Sequence, residues 1–205
     1  MFQLLNASSA FAQGTTYLSN LDAASAGSQT IASDAWVAAW FETPSGSDVY
    51  SLDSIQLLMN SPSGNPSGFS LVLYNPFMPL RPENILTTLS GSEPSSPGIF
   101  TYTASGVSLL PATVYWFAVT GGTPAGAGGY QWNYADTVSL PVKGWFQGDS
   151  SQFSADGIGW GRGPAHQQFA INATAIPEPS TLALVGLAGF CLVSASMKRR
   201  GSSVS

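Results

Sequence analysis

Three aspartates, one histidine and a set of tryptophans are the residues with which this chain could do chemistry. Asp136, Asp149 and Asp156 could supply the two carboxylates of glycoside cleavage, which stand about 5 to 10 Å apart. Their spacing singles out no pair. Each stands beside Gly, Ser, Ala or Thr, in turn-like sequence where an aspartate commonly hydrogen-bonds its own backbone. His166 is the single histidine and the body of the chain has no cysteine, so neither a His-rich metal site nor a Cys-His dyad can be assembled. The expectation is a partly exposed His166 at the start of the last strand, no catalytic residue, no cofactor, and a chain that is not an enzyme. Calcium is the weak exception: Asp149 to Asp156 could present several oxygens, although the spacing fits no known loop pattern.

The chain has 6 tryptophans. Trp132, Trp145 and Trp160 fall in glycine-rich stretches, where exposed rings could stack on sugar C–H faces. Asn133, Gln147, Asp149 and Gln152 would then be hydrogen-bonding neighbours. The plainer reading, and the favoured one, is that these rings plug the ends of a sandwich whose glycine-rich loops have no other apolar material. Trp36, Trp40 and Trp116 read as core from their strand positions. Ser154-Ala-Asp156-Gly157-Ile-Gly-Trp160 is similar to the Asp-box hairpin of sialidase-type propellers, one residue short, which implies that Asp156 braces a turn.

The elements that position these residues are strands. Between Gln13 and Ile176 there are three bases, Arg81, Lys143 and Arg162, against ten acids, a net charge of −7. Phosphate binding needs clustered Lys and Arg, so nucleic acid is excluded as a partner. Charged residues make up 8% of the chain, whereas Gly, Pro, Ser, Thr and aromatics abound, a composition of short strands and turns. Period-2 alternation predicts strands at 34–41, 49–59, 69–74, 85–89, 98–104, 113–120, 129–134 and 167–173. Thr113 to Thr120 is apolar on both faces and reads as a central strand. No stretch before Pro179 has helical periodicity. The fold class is therefore all-β, an antiparallel, jelly-roll-like β-sandwich over residues 13–176, followed by a single C-terminal hydrophobic helix. Without disulfides its stability rests on packing.

That helix belongs to a tail at 177–205. Pro177-Glu178-Pro179-Ser180-Thr181 precedes an uncharged run, 181–197, that includes Cys191, and Lys198-Arg199-Arg200 follows. Pro179 lacks an N–H and permits a helix only after itself, with Ser180 or Thr181 as N-cap. The run spans roughly 25 Å at 1.5 Å per residue, slightly under a hydrocarbon core of about 30 Å. The basic stop stays cytoplasmic, so the body faces outward. At the other end, Ala10-x-Ala12 before Gln13 has signal-peptidase spacing, and residues 1–12 read as the remnant of a longer signal peptide. Asn6-Ala-Ser8 and Asn172-Ala-Thr174 satisfy a glycosylation sequon.

The tail, from Pro177 to Arg200, resembles the PEP-CTERM sorting signal of Gram-negative bacteria. The resemblance implies recognition near Pro-Glu-Pro by an exosortase, transient residence in the inner membrane, and delivery to the cell surface or extracellular matrix of a strain that makes extracellular polysaccharide. A retained single-pass anchor is the alternative. From about Tyr50 to Thr174 the body resembles the choice-of-anchor domains, most like type R. That likeness rests on Tyr50-Ser-Leu-Asp-Ser-Ile55, Phe69-Ser-Leu-Val-Leu-Tyr74, 101–116, Gly129-Tyr-Gln-Trp-Asn-Tyr134 and Gln168-Phe-Ala-Ile-Asn-Ala-Thr174. It implies an exported β-sandwich with a structural or adhesive role and no assigned chemistry. A carbohydrate-binding module or, less readily, a glycan hydrolase are the competing functions.

Overall fold

The structure is a computed structural model, and it describes residues 14–74, 81–137, 143–163 and 165–176. The signal remnant 1–12, the motif Pro177–Thr181, the 181–197 helix with Cys191 and the basic stop Lys198–Arg200 lie outside the described residues.

Among the described residues all regular structure is β: β1 (Thr15–Ser19), β2 (Ser25–Ile31), β3 (Trp36–Glu42), β4 (Val49–Gly64), β5 (Ser70–Tyr74), β6 (Ile85–Leu89), β7 (Gly98–Thr103), β8 (Ser108–Leu109), β9 (Val114–Thr120), β10 (Gly128–Ala135), β11 (Phe146–Gln147), β12 (Ser151–Ser154), β13 (Gly161–Gly163), β14 (His166–Gln167) and β15 (Phe169–Ile176). They form two antiparallel sheets. The eight-stranded sheet runs β1-β15-β4-β10-β14, with β2 on β10 and both β7 and β8 on β4. The seven-stranded sheet runs β13-β12-β3-β9-β5-β6, with β11 on β3.

The predicted alternation is what lets the sheets face each other. β4 turns Leu52, Ile55, Leu57 and Met59 inward, each at 1% exposure or less. β9 lies between β3 and β5 and is buried from Tyr115 to Thr120, as its two-faced apolar sequence predicts. Phe117 of the seven-stranded sheet reaches across to Phe169 at 4.9 Å and to Trp132 at 5.8 Å on the other sheet. Each such buried side chain stabilises the fold by about 1.5–3 kcal/mol relative to exposure.

One irregularity organises an end of the core. A continuous last strand would run from His166 to Ile176, but it breaks at Gln168, whose backbone N–H goes to Asn133 O and whose carbonyl accepts from Leu58 N–H. Buried amides repair the break. Asn20 donates to Gln167 O at 3.1 Å and accepts from the Phe169 N–H at 2.8 Å, and Gln147 donates to Gln167 O at 2.9 Å. An unpaired backbone group at this depth would be costly, so these side chains substitute for the missing ladder bonds.

Candidate functional site

The structure separates the two readings of the tryptophans. Trp132 lies within β10 and Trp145 just before β11, and both are at 0% exposure. The Trp132 indole N–H donates to Gln168 O at 2.9 Å, the carbonyl left at the strand break. Trp145 stacks on Tyr17 with centroids 5.1 Å apart and meets the edge of Tyr50 at 5.0 Å. Neither ring can reach a glycan, which corrects their assignment as binding residues. Gln147, expected at a binding rim, is likewise buried. The plainer reading, rings plugging the sandwich, describes these two.

Trp160 alone of that trio is partly exposed, packed against a smaller cluster on the outer face of the seven-stranded sheet. This cluster contains Ala38, Val72, Tyr74, Trp116 and Ala118, with Trp36, Trp40 and Val114 partly buried against it. Trp36 and Trp40, expected in the core, therefore point outward. They alternate with Val37 and Phe41, which take the inner face. Trp116 also lies on the outer side but is buried.

Glycines of the 144–160 segment roof these outer rings. A Cβ on Gly148 would run into the Trp40 indole, and one on Gly157 would meet the Trp36 ring at 3.2 Å. Gly157 also has φ +74°, a left-handed conformation that favours glycine. The edge of Trp36 lines an open hollow of about 330 Å³, with Asp34, Phe153, Ser154 and Gly159 around it.

Several of the acids are engaged in holding turns. Asp156 Oδ1 accepts from the Ile158 N–H at 2.8 Å, the Gly159 N–H at 3.0 Å and the Ser154 hydroxyl at 3.0 Å. These bonds, the Gly159 amide first, hold its carboxyl below the usual aspartate range. The aspartate thus braces the β12–β13 hairpin, the role its Asp-box-like sequence implied. Asp149 lies 3.3 Å from Arg162, both well exposed. Glu93 accepts from the Tyr130 hydroxyl and the Gly68 N–H, each at 2.8 Å. Those two bonds, Tyr130 first, lower the Glu93 carboxyl, while burial and then the adjacent carboxylate push the Tyr130 phenol up. Asp34 caps the Ala125 N–H at 2.8 Å.

Asp136 and His166 are brought together by a strand pairing that sequence reasoning missed. β14 pairs with β10 at Ala135↔His166, and the two side chains line a hollow of about 230 Å³ with Gln29 and Tyr134. Thirty positions separate them in the chain, and no local signal predicts their pairing. Among the described residues no three His, Cys, Asp or Glu side chains converge as metal ligands.

The body reaches the tail through β15. Its burial holds through Ala173 and gives way to exposure at Thr174, Ala175 and Ile176. From there the sequence passes directly to Pro177. Residues 175–200 match the family described as the PEP-CTERM protein-sorting motif. The match implies a secreted chain that an exosortase sorts and attaches at the cell surface. No curated protein and no solved structure matches the chain.

Proposed function

We propose that this chain is a non-enzymatic β-sandwich of the cell surface or extracellular matrix, with a structural or adhesive role among extracellular polysaccharide. The observation that carries this reading is the sorting motif at 175–200, which follows a two-sheet body directly. The use of the acids supports a non-catalytic body: Asp34, Asp53, Glu93 and Asp156 hold turns and strand ends, and Asp149 pairs with Arg162. The apolar run after Thr181 and the basic stop are read as a membrane stop on the way out, in the inner membrane of a Gram-negative cell. The choice-of-anchor likeness of the body accords with this role.

A second reading, a carbohydrate-binding module, is favoured by one feature. The outer face carries partly exposed indoles beside polar groups, Trp36 with Asp34 and Ser154, and Trp160 nearby. Affinity electrophoresis of the purified chain in gels containing the host polysaccharide tests it. Retardation that disappears in the Trp36→Ala, Trp160→Ala double variant supports the module. Equal migration of both proteins, with and without polysaccharide, leaves the structural role. For the main reading, cell fractionation of wild type and Glu178→Ala is the test: wild type at the surface and the variant retained at the inner membrane is the expected result. Identical distribution of the two would overturn it.

A further inference from the structure

The matched motif begins at residue 175, whereas β15 runs to Ile176, so the sorting signal and the last strand share Ala175 and Ile176. No linker separates the folded sheet from the segment the enzyme must read. Resting on the sorting reading above, we infer that the end of β15 is a clamp on the sorting motif. Thr174–Ile176 must leave the sheet before the exosortase can take hold of Pro177–Thr181.

The strand itself marks where the clamp begins. Ile171 and Ala173 are at 0% exposure, and Asn172 donates to the Ser54 hydroxyl at 3.0 Å in the interior. Up to Ala173 the strand is core, and it cannot leave without opening the sandwich. The β1 ladder stops at Thr15↔Ala173, and the next three residues are exposed. On its other side β15 is paired with β4, and the Thr174 hydroxyl adds a fastening there by donating to Asp53 Oδ2 at 2.8 Å. Gly14 closes the same corner from the β1 side, where a Cβ would run into the Asp53 carboxylate and the Ala173 carbonyl. Pro177 follows in the sequence and brings no backbone N–H to a ladder.

Three residues in extended form give about 10 Å of chain. A peptidase that reads an extended peptide needs residues on both sides of its site free of other pairing. While the clamp is closed, that length is missing on the body side. Exposed strand ends open locally at low free energy, so the device slows access without blocking it.

The test is pulse-chase processing of the full-length chain co-expressed with its host's exosortase, read as loss of the C-terminal fragment by intact mass. Thr174→Val removes the clamping hydroxyl at constant shape. Insertion of Gly-Ser-Gly-Ser between Ile176 and Pro177 supplies the missing length without touching the sandwich. Processing should quicken about two- to tenfold in Thr174→Val, the effect of one exposed hydrogen bond on a local opening, and at least as much in the insertion. The thermal midpoint of the body should not change. Equal rates for all three proteins would overturn the clamp and leave the sorting reading intact. Absence of cleavage in every version, the insertion included, would overturn both.

Discussion

Replacing Trp145 with alanine empties a fully enclosed site bordered by Tyr17, Tyr50 and Phe41, whose ring centroids lie 5.1, 5.0 and 6.1 Å away. Truncating a buried tryptophan costs about 3–5 kcal/mol. The site cannot collapse readily, because the turn before it is fixed by Lys143 at φ 50° and Gly144 at φ 82°. The upper half of that range is therefore expected. In a domain of this size each kcal/mol lowers the melting temperature by about 2–4 °C, so Trp145→Ala should melt roughly 8–20 °C below wild type. Trp160→Ala, at a partly exposed ring on the outer face, should lose about 1 kcal/mol or less. Thermal melts followed by near-ultraviolet circular dichroism, with urea midpoints as a check on the unfolding slope, measure both. Equal melting temperatures for the two variants would refute the assignment of one ring to the core and the other to the surface.

The remaining predictions concern the turns and their acids. Glu93 titrates below the ordinary glutamate range in the folded chain. Its contribution to stability is therefore fully present above the unfolded value and is lost as pH falls through the lower folded one. The stability difference between wild type and Glu93→Gln, from urea midpoints, should shrink between pH 7 and pH 3; a constant difference would remove Glu93 as the cause. Gly157→Ala should destabilise by about 1–2 kcal/mol, since it combines a left-handed φ with a 3.2 Å approach to the Trp36 ring. A shift of tryptophan emission should accompany it, and an unshifted spectrum at wild-type stability would show that the ring is elsewhere. Gly148→Ala should displace the Trp40 indole and destabilise by about 1–3 kcal/mol, measured in the same way.

How much of this was legible in the sequence depended on which face of each strand is buried. β9 was readable because Tyr115 to Val119 are apolar on both sides, and β4 because alternation marks its inner residues. β2, with Ser25-Ala-Gly-Ser-Gln-Thr-Ile31, and β13, with Gly161-Arg-Gly163, carry almost no apolar pattern. Their pairing comes from neighbouring strands, which no local signal records. What kept a glycan-facing reading of Trp132 and Trp145 open was their glycines. Gly128 and Gly129 precede Trp132 because a Cβ there would strike Ser63 O and the Thr30 side chain, so these glycines permit close strand approach and do not mark a loop. Gly148 is small because the Trp40 ring lies on it. The sorting motif, by contrast, was legible, since Pro177–Thr181, an uncharged run and Lys198–Arg200 stand in linear order and residues 175–200 match that family. The overlap of that motif with β15 required the strand's end to be seen.

The most direct test of the account is the mass of the C-terminal peptide from chain recovered at the cell surface of its own host. Processing by an exosortase predicts a terminus within or next to Pro177–Thr181, with the segment through Lys198, Arg199 and Arg200 absent. Surface material that retains Arg200 and runs on to Ser205 would contradict it.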